Sequence, residues 1–188
     1  MPRPALVTDS DLVARLSDVF RAEGFEGASL VALSRASGLQ RASLYHRFPG
    51  GKEQMAQEVL RTTQSLLDKN ILEMLHGNEP PPERAKELVR QLDAFYNGGK
   101  KNCVLNMLVS STAGKARHNK LIGAMAQEML AGLAKLVADA GFDKDVAKSR
   151  AERAMALLEG SLVMCRSLGV TAPFANMLRQ LPQELLGK

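Results

Sequence analysis

Apolar residues recur along this chain at spacings of three and four and almost never alternate. That period belongs to helices packed on one side, and it predicts an all-α protein. Nine helices are expected. The first opens at the capping box Thr8-x-x-Asp11, carries the stripe Leu12, Leu16, Val19 and Phe20, and stops at Gly24. Short helices follow over about 29–36 and 40–47, separated by the tight turn Ser37-Gly38-Leu39. Pro49-Gly50-Gly51 breaks the chain. A long fourth helix places Met55, Val59, Leu66, Ile71 and Met74 near one side and ends near Gly77. Glu79-Pro80-Pro81-Pro82 is a stiff connector into a helix over 83–96. The remaining helices are expected over 102–113, 117–140, 143–168 and 173–186. Two units result: a small N-terminal one over 1–50 and a larger helical one over 51–188.

Composition agrees with an ordinary globular chain, with 45% hydrophobic and 24% charged residues. No run of 18 apolar residues marks a membrane span, and the first residues lack the apolar stretch of a signal peptide, so no membrane role is expected. The two cysteines, Cys103 and Cys165, read as reduced thiols in a cytoplasmic protein. The net charge of +5 is only a mild pointer to an acidic partner. Its placement says more. From Gly27 to Lys52 there are four basic residues and no acid.

That window, SLVALSRASGLQRASLYHRFPGGK, reads as helix-turn-helix. Val31, Leu33 and Ala36 are expected to face the core, and Gly38 supplies the positive φ of the turn. Leu39 fills the space behind the turn. Leu44 and Phe48, four apart, anchor the next helix from one side. Gln40, Arg41, Ser43, Tyr45, His46 and Arg47 then occupy its remaining surface. A short basic helix of this kind fits the DNA major groove. Arg41 suits a guanine edge or a phosphate, Gln40 an adenine, and Tyr45 and His46 a phosphate or a thymine methyl. Ser29 and Lys52, at the starts of the second and fourth helices, suit phosphates.

These residues resemble the tetracycline-repressor (TetR/AcrR) family of one-component bacterial regulators. The resemblance rests on Ser34-x-x-x-Gly38-Leu39, on Leu44-Tyr45-His46-Arg47-Phe48 and on Lys52-Glu53-Gln54-Met55. Ser34 stands where Ala is usual and Met55 where Leu is usual. The Pro-Gly-Gly-Lys-Glu-Gln form is similar to the lincomycin-resistance-repressor (LmrA/YxaF-like) branch. The motifs span roughly residues 8–60.

The resemblance implies a nine-helix fold, a homodimer, a double-stranded operator and a small-molecule inducer, with no cofactor. The inducer cavity is expected among the middle helices, lined by Leu67, Ile71, Met74, Phe95, Cys103, Met107, Met125, Met129 and Met155. Flexible, polarizable methionines suit an adaptable pocket and a hydrophobic or aromatic ligand. The dimer interface is expected on the last two helices, at Ala151, Met155, Leu158, Leu162, Phe174 and Leu178, where small residues permit close helix approach.

An enzyme is the rival class, but no nucleophile–base pair appears, and Gly98-Gly99-Lys100-Lys101 lacks the full phosphate-loop pattern. His76, Cys103 and His118 match no compact metal motif. The other alternative is a helical small-molecule-binding protein of the same fold that does not bind DNA.

Overall fold

The computed structural model describes residues 7–109 and 117–187. Among the described residues there are nine helices and no strand. They are α1 (Asp9–Gly27), α2 (Leu30–Ser37), α3 (Arg41–Arg47), the composite α4, α5 (Pro81–Phe95), α6 (Val104–Leu108), α7 (Arg117–Asp139), α8 (Lys144–Leu168) and α9 (Ala172–Leu186). α4 runs as Gly51–Leu67, a π-helical turn Asp68–Leu72, and Glu73–His76. Leu67, Ile71 and Leu75 repeat every four residues and are all buried. A four-residue repeat drifts around a 3.6-residue helix, and the wider π turn takes up that drift.

The local signals read in the sequence act as expected at the helix ends. The Asp11 amide donates to Thr8 Oγ1 at 3.1 Å, capping α1. Asp143 Oδ1 accepts from the amides of Asp145 and Val146 and caps α8. Gly24 does hold a left-handed φ of 72°, but helix resumes beyond it to Gly27, so it kinks α1 without ending it. The sixth helix is shorter than expected; residues 110–113 of the expected span lie outside the described residues, as does the side chain of His118.

The chain divides into two compact units, neither of which is the 1–50 and 51–188 expected from the motifs. The first is Met1–Thr63 with Val104–Ile122, and the second is Gln64–Cys103 with Gly123–Lys188. The first boundary falls late because the start of α4 belongs to the N-terminal core: Met55, Ala56, Val59 and Leu60 are at most 1% exposed. α6 joins the same unit by packing along α1, and Val104 and Leu108 are buried with Leu12, Leu16 and Phe20. Burying each such side chain stabilises by about 1.5–3 kcal/mol.

In the second unit α9 packs on α8 and on α5. Tyr96 meets Phe174 edge-on at 5.8 Å between ring centroids. Arg84, 3% exposed, is held on three sides. It donates to Asp139 Oδ2 at 2.7 Å, to the Leu75 carbonyl at 2.7 Å and to the Glu79 carbonyl at 2.8 Å. A buried guanidinium needs such complete pairing.

Two surface expectations change. Val31 is 56% exposed, because Ser37 takes the inner position of α2 beside Leu33. Leu66 is also exposed, one position off the buried face of α4. One stretch of α7, Asn119–Asp139, is long and apolar enough by length and composition to cross a membrane, with mean hydropathy 1.4. Scattered polar residues had hidden it from a search for an unbroken apolar run. Its Met125, Met129, Leu133, Leu136 and Val137 are buried in the protein.

Candidate nucleic-acid interface

The turn between α2 and α3 is fixed by short-range hydrogen bonds. Ser34 Oγ donates to the Leu39 carbonyl at 2.6 Å. Ser37 Oγ donates to the Ser34 carbonyl at 2.9 Å and accepts from the Leu39 amide at 3.2 Å. Gly38 sits at φ 71°, the left-handed conformation the turn requires. Arg15 of α1 donates to the Ser37 carbonyl at 3.3 Å, tying the turn to the first helix. Ser34, one of the two residues that depart from the family pattern, thus spans the turn through its hydroxyl.

α3 is anchored from below. Leu44 is 1% and Phe48 7% exposed, and both lie in the core of the first unit. Gln40, Arg41, Ser43, Tyr45, His46 and Arg47 are exposed, with Tyr45 at 46%. The six therefore share the free surface of one short helix. Arg41 and Arg35 have no ion-pair partner among the described residues. Arg47 differs: its Nη1 lies 2.9 Å from Asp9 Oδ1 in the first turn of α1.

Ser29 and Lys52 already have local partners. Ser29 Oγ accepts from the Ala32 amide at 3.1 Å and caps α2. Lys52 Nζ lies 3.5 Å from the Glu26 carbonyl, to which it donates, and 4.8 Å from the centroid of the Phe25 ring. At the start of α4 the Gly51 amide donates to the Phe48 carbonyl, and the Gly50 amide to Gln54 Oε1. These contacts hold the α3–α4 corner against the end of α1.

The expected ligand residues are not gathered at one place. Met129 and Met155 do line a common cavity, with Leu88, Leu92, Leu133, Ala154, Leu158 and Leu181. Its interior space is about 10 Å³, far below the ~300–1,000 Å³ of drug-sized pockets. Leu67, Ile71, Cys103 and Met125 are buried outside that lining. Phe95 packs edge-on against Tyr96. Met74 borders an open, charged groove with Arg84, Glu87 and Arg90. Met107 lies in the first unit, against Gly24. Methionine content alone does not separate core from cavity, since both are apolar at helical spacing.

The expected dimer residues also need correction. Ala151, Leu158, Leu162, Phe174 and Leu178 are at most 7% exposed within a single chain. They form the α8–α9 packing, and Met155 is half-buried at the cavity wall. The exposed apolar side chains at this end are Leu157, Val163, Met164, Leu168 and Val170.

An exposed basic helix on a helix-turn-helix, with helices alone among the described residues, is the arrangement of a DNA-binding domain. Residues 13–59 match the family described as bacterial regulatory proteins, tetR family. The chain is 26% identical over 86 residues to the HTH-type transcriptional regulator LmrA of Bacillus subtilis, a match covering 46% of each protein. It thus spans about half the length of that relative. It is 21% identical over 169 residues to the HTH-type regulator YxaF of the same organism, covering 88% of each. Its fold matches a TetR transcriptional regulator from Legionella pneumophila with a TM-score of 0.80 at 18% identity, over 96% of this chain and 99% of that one. It also matches a cysteine mutant of the TetR family regulator CifR, solved with 26-base-pair operator DNA, with a TM-score of 0.76 at 23% identity over 97% and 98% of the chains. Residues 13–59 thus carry a tetR-family DNA-binding domain, and the fold of the whole chain is that of TetR-family regulators.

Proposed function

We propose that this protein is a homodimeric repressor that leaves a palindromic operator when a small hydrophobic molecule binds its second unit. The observation that carries the reading is the α3 surface. Arg41, Tyr45 and His46 are exposed on a helix whose Leu44 and Phe48 are locked in the core. Such a helix presents donors to base edges without rearranging. Arg41 and Gln40 read bases, while Ser43, Tyr45 and His46 meet bases or phosphates. Ser29 and Lys52 hold the backbone from the two flanking helix starts.

The dimer contact we propose is the exposed row on α8. Leu157, Gly160, Met164 and Leu168 follow each other at three and four residues and share one face. Two copies joined there would set the spacing of two recognition helices. The apolar cavity around Met129 and Met155 supports a hydrophobic or aromatic inducer, because no polar side chain lines it. Ligand entry requires the two methionines to swing aside. By linkage, the inducer weakens DNA binding only by its preference for the released state. The protein acts in the cytoplasm, where its operator lies.

The test is a mobility shift with the DNA upstream of its own gene, across a salt series, with and without a panel of hydrophobic drugs and flavonoids. Competitor-resistant binding released by one compound is expected. Binding of a hydrophobic compound without any specific or salt-dependent DNA binding would instead support a ligand-binding protein of this fold.

A further inference from the structure

Among the described residues, Arg47 is the one residue of the α3 surface paired with an acid. Gln40, Ser43 and Arg47 follow at intervals of three and four, so they form a single stripe along the recognition helix. Arg47 closes that stripe at its C-terminal end. Its guanidinium lies 2.9 Å from Asp9 Oδ1. The Asp9 side chain is 90% exposed and the Arg47 side chain 34% exposed. A carboxylate and a phosphate each offer a guanidinium a pair of anionic oxygens for bidentate bonding. An ion pair this open to water is worth little and exchanges readily.

We infer that Asp9 stands in for a DNA phosphate, occupying Arg47 in the free protein, and that Arg47 passes from Asp9 to the DNA backbone on binding. The inference rests on α3 being the DNA-reading helix. It adds Arg47 as a DNA contact and Asp9 as the residue that lowers its availability. The exchange has a direction. Near the duplex, the released Asp9 carboxylate faces phosphates, so each productive encounter must first break the pair. Asp9 therefore lowers binding to every sequence by a similar factor, as a group acting at a backbone contact does.

The site is local to the first unit, and Asp9 is dispensable for the cap, since Thr8 holds the Asp11 amide. That makes the pair open to substitution. The probe is a fluorescein-labelled mixed-sequence DNA duplex, titrated with full-length protein by anisotropy at several salt concentrations. Asp9→Asn and Asp9→Ser are both expected to bind about two- to fivefold tighter than the parent, the scale of a surface ion pair. Arg47→Gln is expected to bind more weakly and to reduce the salt slope by about one. In the Arg47→Gln background, Asp9→Asn should lose most of its effect. Thermal melting by circular dichroism checks that each variant is folded, and the two Asp9 replacements guard against a local defect in one of them.

An equal gain from Asp9→Asn with and without Arg47 would overturn the exchange, leaving only general charge repulsion. Parent-like binding by Arg47→Gln, with Arg41→Ala weakened on the DNA upstream of the protein's own gene, would remove Arg47 from the interface while keeping α3 as the reader. Parent-like binding by both Arg47→Gln and Arg41→Ala would overturn the reading of α3 itself.

Discussion

The main-chain oxygen of Met107 lies 3.3 Å from the point where a Cβ on Gly24 would stand, and Gly24 itself holds φ at 72°. Two residues far apart in sequence thus meet where α1 kinks. Gly24 is required twice over, once by conformation and once by the close approach of α6. Gly24→Ala is expected to cost about 1–3 kcal/mol, from the left-handed backbone and the crowded carbonyl together. Urea unfolding of the full chain measures this, and an unchanged midpoint would show that α6 does not pack tightly there.

Arg41, unlike Arg47, has no ion-pair partner among the described residues. Arg41→Ala should therefore weaken operator binding by about 1–3 kcal/mol and relax sequence preference at one base position. Lys52→Ala should weaken all sequences alike and flatten the salt dependence by about one. A sequence-selective loss at Lys52 would contradict its assignment to the backbone.

The two sides of α8 should answer differently to substitution. Leu158→Ala removes a side chain buried within the chain and should cost about 2–4 kcal/mol of stability. Met164→Glu places a charge in the exposed apolar row and should give monomers by sedimentation velocity while the monomer stays helical. Dimers that survive Met164→Glu would move the interface elsewhere.

Arg84 is the most demanding polar group of the second unit. Arg84→Met leaves the Leu75 and Glu79 carbonyls without their donor and should cost about 3–5 kcal/mol. Asp139→Asn should cost less, about 1 kcal/mol, because Asp139 is a third exposed and Arg84 keeps both carbonyls.

Acid should test the same pair. Hydrogen bonds from Lys135 and then Arg84 hold the Asp139 carboxyl below the usual carboxylate range. Arg90 and then Gln91 hold the Glu87 carboxyl at about 2, from an ordinary 4.5. A carboxyl depressed by folding stabilises the protein above its unfolded pKa and loses that contribution as pH falls through its folded one. Stability should therefore decline below about pH 4.5, with both Asp139 and Glu87 contributing. Melting temperature followed into acid should fall less steeply in Asp139→Asn than in the parent.

Local chemistry made much of this molecule readable in advance. Thr8, Gly38 and the Leu44–Phe48 spacing are short-range signals, and each acts where its sequence neighbourhood places it. The exposed row Gln40 to His46 follows from the two anchors beneath it. What was hidden depends on residues distant in sequence. Nothing near Val104–Leu108 says that it packs on α1. Nothing in the apolar stripe of α8 says which half faces α9 and which faces solvent, because Leu157 and Leu158 are chemically the same. The Asp9–Arg47 pair joins two helices whose approach is set by the whole N-terminal core. The residues expected to line the cavity scatter for the same reason, since Met107 and Met129 have equal chemistry but lie in different units.

The unit that carries α3 is closed by a segment made late. Val104–Leu108 leaves the ribosome only after all of residues 64–103. At about 5–20 residues per second, that interval is on the order of seconds. Through it, the face of α1 that α6 will cover stays open to water and to other chains. A gene fragment ending near Thr63 would encode the recognition helix without one of the helices that shields its neighbour, α1.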